Sequence, residues 1–168
     1  MRIVCLLPRR AFPALGKLLI GLAFALNAAL AWAQGANFST TVGMAALCVD
    51  DVEPGFLYNT LRKIKPPSRH EQGAYWFAIA EPLFTAPVSE VFVSDGSSRH
   101  VFVGVVSPLA PAQLAEAIAA SAPAGGTFKR DNPADRYSPY ISAAGAQIVF
   151  FNKKSKLFCR RDRGRLLD

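Results

Sequence analysis

The sequence predicts one small α+β domain, a mainly antiparallel sheet of four or five strands with two helices on one face, preceded by a cleaved export signal. Three observations predict it. Residues 88–94 and 97–106 are β-rich runs on either side of Asp95-Gly96, a dipeptide that tolerates positive φ and so marks a hairpin. Two stretches of helical apolar spacing open on Pro54 and Pro111, and proline is favoured in the first helical turn. The composition is 51% hydrophobic and 18% charged over 168 positions. Without periodic glycine, long heptads or repeated apolar spans, it excludes a collagen, a coiled-coil rod, a disordered chain and a polytopic membrane protein.

Residues 1–33 carry Arg2, Arg9, Arg10 and Lys17 with no acid, and from Leu18 to Ala33 no charge interrupts an apolar run. The run ends in Ala31-Trp32-Ala33, the small-x-small pattern a signal peptidase accepts, so Gln34 is the expected new amino terminus. A helix over this run reaches about 24 Å, short of the roughly 30 Å of bilayer hydrocarbon. The sequence therefore expects cleavage, a periplasmic or secreted destination, and residues 34–168 as the exported domain with no transmembrane helix.

Within that domain, residues 37–50 are apolar without a decisive period, leaving helix and buried strand open. Asp51-Val52-Glu53-Pro54 announces a helix, with Asp able to cap it. Phe56, Leu57, Thr60, Leu61 and Ile64 form its apolar stripe, and Lys65-Pro66-Pro67 ends it. Residues 68–73 read as a polar loop and residues 75–80, dense in rings and branched side chains, as a strand. The hairpin of residues 88–106 follows, its register depending on a loop of two or four residues. Leu114, Ala115, Ile118 and Ala119 line one face of a second helix, stopped by Pro123 and Gly125-Gly126. Residues 122–145 show no period. A connection that long is either a functional loop or a place where short elements hide. Residues 147–152 and 156–161 close the chain as a second hairpin turning through Lys153-Lys154-Ser155.

Two cysteines, Cys48 and Cys159, survive removal of the signal. An oxidising destination makes them an expected disulfide, because neither sits in CxxC, beside a histidine or at metal-ligand spacing. Catalytic signatures are missing: no GxSxG elbow, phosphate-binding glycine loop, HExxH or EF-hand occurs. Nothing calls for a cofactor or metal. The two histidines, His70 and His100, read as solvated surface groups; a hydrolase would have to assemble one of them with a distant acid. Asp50, Asp51 and Glu53 crowd a helix start, where the helix dipole suffices to explain them.

Charge and rings give the remaining leads. The formal charge is +7, from 19 bases and 12 acids, but four of those bases belong to the signal and the exported domain keeps only +3. Residues 153–168 concentrate Lys153, Lys154, Lys156, Arg160, Arg161, Arg163 and Arg165 against Asp162 and Asp168. Charged edges of this kind commonly guard against aggregation, but they also attract phosphate-rich or carboxylate-rich partners. The irregular stretch adds Lys129, Arg130, Arg136, Tyr137 and Tyr140, the mixed content a recognition loop uses. Tyr75 and Phe77 share one strand face and Trp76 takes the other. The function expected is a non-enzymatic interaction domain. It would bind another exported protein or an anionic envelope polymer through the basic hairpin and neighbouring loop. Nucleic acid is disfavoured, since stacking residues do not interleave with the bases. The alternatives are a small cell-wall or periplasmic hydrolase and a small-ligand carrier with an apolar cavity between helices and sheet.

Overall fold

In the computed structural model, which describes residues 37–163, the β-rich runs and several shorter segments join in one sheet. Its strands are β1 (Arg69–Glu71), β2 (Ala74–Phe77), β3 (Glu90–Ser94), β4 (His100–Ser107), β5 (Phe128–Arg130), β6 (Tyr140–Ser142), β7 (Gln147–Phe151) and β8 (Lys154–Asp162). They lie in the order β1-β2-β3-β4-β8-β7-β6-β5, each pair antiparallel. The sheet thus has eight strands, not the four or five the sequence suggests. The expected signal, residues 1–33, lies outside the described residues.

The extra strands are three residues long. β1 occupies the expected polar loop; it turns into β2 through Gln72 and Gly73, both at positive φ (54° and 73°), a two-residue turn whose twist suits a hairpin. β5 and β6 occupy the patternless residues 122–145 and pair with each other. Three residues are too few for an alternation to register in sequence, and at the sheet's edges their pairing is decided by neighbours. The last hairpin turns at Asn152 and Lys153 (φ 45° and 62°), one residue before the expected start. Between β3 and β4 the loop holds residues 95–99, longer than either expected length. Asp95 Oδ1 accepts from Ser97 N–H at 2.8 Å, and such a side-chain turn replaces the tight dipeptide turn.

Three helices, not two, cover one face. α1 is π-helical over Ser39–Gly43 and α-helical over Met44–Ala46, resolving the ambiguity of residues 37–50. α2 (Pro54–Ile64) is capped by Glu53 rather than by Asp51, the Glu53 carboxylate accepting from Phe56 N–H at 2.9 Å. Only Leu57 and Leu61 of its expected stripe are buried; Phe56 and Ile64 are 58% and 65% exposed, because a short helix crossing the sheet touches it through one i, i+4 pair. α3 (Pro111–Ser121) buries Leu114, Ala115 and Ile118 and leaves Ala119 exposed. Gln113 Oε1 accepts from Ala110 N–H at 3.2 Å at its start.

The core lies between these helices and the strand residues that face them: Phe77, Val91, Val93, Val105, Ile148 and Leu157 against Leu47, Leu57, Leu61, Leu114 and Ile118. Each such side chain contributes about 1.5–3 kcal/mol by leaving water. Cys48 and Cys159 are joined by a disulfide, with Cα atoms 5.1 Å apart and 111 positions between them. Cys48 holds φ 60°, a left-handed conformation that costs a non-glycine residue about 1 kcal/mol or more. There the chain reverses after α1 and brings the sulfur to β8.

Gly104 stands in mid-β4, where an added Cβ would meet the Leu157 carbonyl, the Phe92 ring and Phe158 Cβ. Gly104→Ala should therefore destabilise the fold by about 1–3 kcal/mol, measured by urea denaturation. Replacing both Cys48 and Cys159 by alanine should lower the unfolding free energy by about 2–5 kcal/mol, seen as a lower midpoint in the same experiment.

Candidate functional site

Because α1, α2 and α3 share one face, the alternate residues of the central strands look out from the other, with no described helix over them. Trp76, Phe92 and Val106 form a small apolar layer there, joined by Phe102, Phe151 and Phe158. Trp76 and Phe92 have ring centroids 4.9 Å apart and are only 3% and 5% exposed. Among the described residues, long cationic side chains lie over the layer. The Arg69 guanidinium lies 4.2 Å above the Trp76 ring, held by Glu90 through two hydrogen bonds of 2.5 and 3.3 Å and by Glu71 at 2.7 Å. Lys156 Nζ sits 3.7 Å from the Phe151 centroid, 4.8 Å from Trp76 and 5.3 Å from Phe92. Burial pushes the Lys156 amine below the ordinary lysine range, the nearby Arg69 adds to this, and Glu90 and Glu71 oppose it.

The basic residues singled out in sequence divide into three groups. Lys154, Lys156 and Arg160 project from the helix-free face as alternate residues of β8, and by the pairing Lys129↔Ile141, Ile141↔Gln147 and Gln147↔Phe158 Lys129 shares that face. Arg161 turns to the helix side, where it pairs with Asp51 and donates to the Cys48 carbonyl at 3.1 Å. Arg163 is likewise tied down, donating to the Gly96 carbonyl at 2.7 Å. Lys153 is exposed in its turn. The third group surrounds β5 and β6: Arg130 donates to the Tyr140 hydroxyl at 3.0 Å, and Arg136 lies 4.6 Å above the Tyr137 ring. Tyr137 itself packs at 6.1 Å against Phe150, both largely exposed. Arg69 and Glu90 belong to the site and were not singled out. No sequence pattern marks them, because β1 is invisible before the sheet forms; Trp76 was legible from alternation alone.

Both histidines meet carboxylates. His100 Nδ1 is 2.7 Å from Asp162 and its Nε2 accepts from Arg99 Nε at 3.2 Å, so neither ring nitrogen is left to take a proton from a substrate. His70 Nε2 is 2.6 Å from Asp95, and its ring stacks on Tyr75 with centroids 4.3 Å apart. Here the carboxylate, not the imidazole, is central: Asp95 also accepts from the Ser97 hydroxyl and amide. A nucleophile needs its base beside it, and the described hydrogen bonds bring no serine, threonine or cysteine side chain to either ring.

Three clefts surround the far end of β4 and β8. One of ≈ 240 Å³ runs beside Asp51, Glu53, Val101, Val103 and Arg161. One of ≈ 440 Å³ is lined by Cys48, His100, Gly145, Arg160 and Asp162. Another of ≈ 440 Å³ lies among Tyr58, Tyr75, Asp95 and Arg163. No protein-family model matches the chain, and neither the curated proteins nor the solved structures compared with it give a match. Among the described residues no helix is long and apolar enough to cross a membrane, and no group of three or more His, Cys, Asp or Glu is placed to hold a metal ion.

Hydrogen bonds from Ser97 and then His70 lower the Asp95 carboxyl to about 2. A depressed carboxylate stabilises the fold above its unfolded pKa and loses that contribution as pH falls through the folded value. The β3–β4 loop should therefore loosen between about pH 4 and pH 2, and Asp95→Asn should loosen it at neutral pH. Hydrogen exchange at the Ser97 amide checks both; an unchanged rate in Asp95→Asn at pH 7 would refute the assignment.

Proposed function

We propose that this chain is an exported, disulfide-bonded binding domain that performs no catalysis of its own. It docks through its helix-free sheet face onto an anionic surface of another exported protein or of an envelope polymer. The observation that carries this reading is that Lys154, Lys156 and Arg160 share one face of β8, none of them in a described ion pair. The rings beneath Lys156 hold its amine in place, so that side chain has little freedom left to lose on binding. Lys156 matters most, since its amine is partly desolvated before any partner arrives and an anionic group would relieve that cost. Export is supported by the Cys48–Cys159 bond, which oxidising compartments preserve, and by the signal pattern of residues 1–33. The hydrolase alternative is weakened by the occupied nitrogens of His100. The carrier alternative is weakened by Leu57, Leu114 and Ile118, which fill the layer between helices and sheet.

The test uses the oxidised chain and native envelope extract, with photo-crosslinking from the Phe158 position and retention on phosphatidylglycerol vesicles as separate arms. A crosslinked protein identifies a protein partner; retention on vesicles identifies an anionic polymer or headgroup surface. Lys154→Gln with Arg160→Gln should weaken whichever arm is positive and flatten its salt dependence by about two counterion contacts. Lys156→Met should weaken it too while leaving the thermal midpoint equal or higher, because the folded protein disfavours that charge. Undiminished binding by both variants would overturn the reading.

A further inference from the structure

The sheet has a gap beside β8. Pairing with β4 continues to His100↔Asp162, but on the other side β7 reaches only Gln147↔Phe158. Among the described residues, no strand lies alongside Arg160–Asp162 on that side. The phase of the ladder shows which backbone groups this leaves. Arg163 N–H donates to the Arg99 carbonyl at 2.8 Å, so residues 163, 161 and 159 bond toward β4. Residues 160 and 162, in the antiparallel alternation, point their N–H and C=O groups away from it. The chain that would have continued β7 turns aside instead: Gly145 N–H donates to the Ser142 carbonyl at 2.9 Å, and Gly145 at φ 90° has open space where a side chain would stand. The ≈ 440 Å³ cleft lined by Cys48, His100, Gly145, Arg160 and Asp162 is this gap.

The matching edge of β4 is treated differently. There β3 also stops short, at Val93↔Val103, but Ser98 Oγ accepts from His100 N–H at 3.1 Å and donates to its carbonyl at 2.7 Å. Arg163 then pins the covering loop through Gly96. One side of the β4–β8 ribbon is capped by the chain's own loop, and among the described residues no segment pairs with the other.

We propose that the open edge of β8 at Arg160–Asp162 receives an extended segment of a partner protein as an added strand, antiparallel to β8 on the line of β7, with an acidic side chain opposite Arg160. Strand addition satisfies main-chain groups while side-chain pockets give selectivity. Charge selects the occupant. Arg161 is engaged by Asp51 and Asp162 by His100, which leaves Arg160 as the cation of the cleft without a described ion pair, and opposite charges directly across a sheet attract. This edge is distinct from the face proposed above, although Arg160 contributes to both.

The probe is the peptide acetyl-Thr-Val-Glu-amide, whose Thr, Val and Glu fall opposite Asp162, Arg161 and Arg160 and stop short of the position held by Gln147, added at millimolar concentration to the oxidised chain and followed by amide exchange and shift changes. Exchange at the Arg160 and Asp162 amides should slow by about tenfold or more. The analogue with Lys in place of Glu should bind more weakly to the native chain and more tightly to Arg160→Glu. N-methylating the peptide's Glu amide should abolish the protection. Lys154→Gln, which weakens docking on the face, should leave peptide binding unchanged, so the two sites fail separately. Amides of Arg160 and Asp162 already protected without peptide, or equal binding of the N-methylated peptide, would overturn the proposal.

Discussion

The ladder between β4 and β8 decides most of this molecule. Its eight paired positions join the two longest strands at the centre of the sheet, and a side-chain period of two then assigns every neighbouring residue to a face. Val103 and Cys159 face the helices as partners, as do Val105 and Leu157; Phe102 and Arg160, Gly104 and Phe158, and Val106 and Lys156 face away. A slip of one residue would bury Lys156 under the helices and pull Cys159 from Cys48. The fold, the disulfide and the cationic face are consequences of one register.

A sheet whose described helices all lie on a single side still has to keep water from the rings on its other side. Among the described residues, long charged side chains cover these rings, the Arg69 guanidinium lying over Trp76 and the Lys156 amine over Trp76, Phe92 and Phe151. The two cations differ in how they are balanced. Arg69 spends its donors on Glu90 and Glu71, a planar guanidinium satisfied on both edges while it covers a ring. Lys156 has rings beneath it but no described ion pair, and so bears the desolvation cost that its lowered pKa expresses. The same layer therefore holds one partly desolvated charge with no described ion pair, offset only in part by Glu90 and Glu71.

What the sequence made legible follows from interaction range. The central hairpin, the prolines that open α2 and α3 and the final hairpin declare themselves in local pattern, since each depends on residues a few positions apart. β1, β5 and β6 do not: Arg69-His70-Glu71 becomes a strand because β2 offers an edge and a tight turn, and nothing within those three residues says so. The candidate site divides the same way. The face taken by Trp76 was readable from the alternation on β2 alone, whereas Lys154 was expected in the turn and joins Lys156 and Arg160 on one face of β8 only in the structure, and the partners of Arg161 and Arg163 come from Asp51, Cys48 and Gly96, far away in the chain. Seven neighbouring bases looked like one patch in sequence; the strand period sent Arg161 to the helix side, where it binds structure rather than solvent.

The disulfide also governs more than stability. Cys48 adopts its left-handed conformation at the end of α1 and is fastened to Cys159, the last residue of β8 before the stretch that β7 leaves unpaired. Arg161 then reaches back to the Cys48 carbonyl and Asp51, so the connection from α1 to α2 is held against the helix face of β8. Those anchors fasten Cys48 and Asp51 at the rim of the cleft, much as Ser98 and Arg163 fasten the opposite loop across β4. An edge stays available only if nearby chain is prevented from pairing with it. In this protein the covalent link and one arginine supply that restraint at the point where the ladder outruns its neighbour.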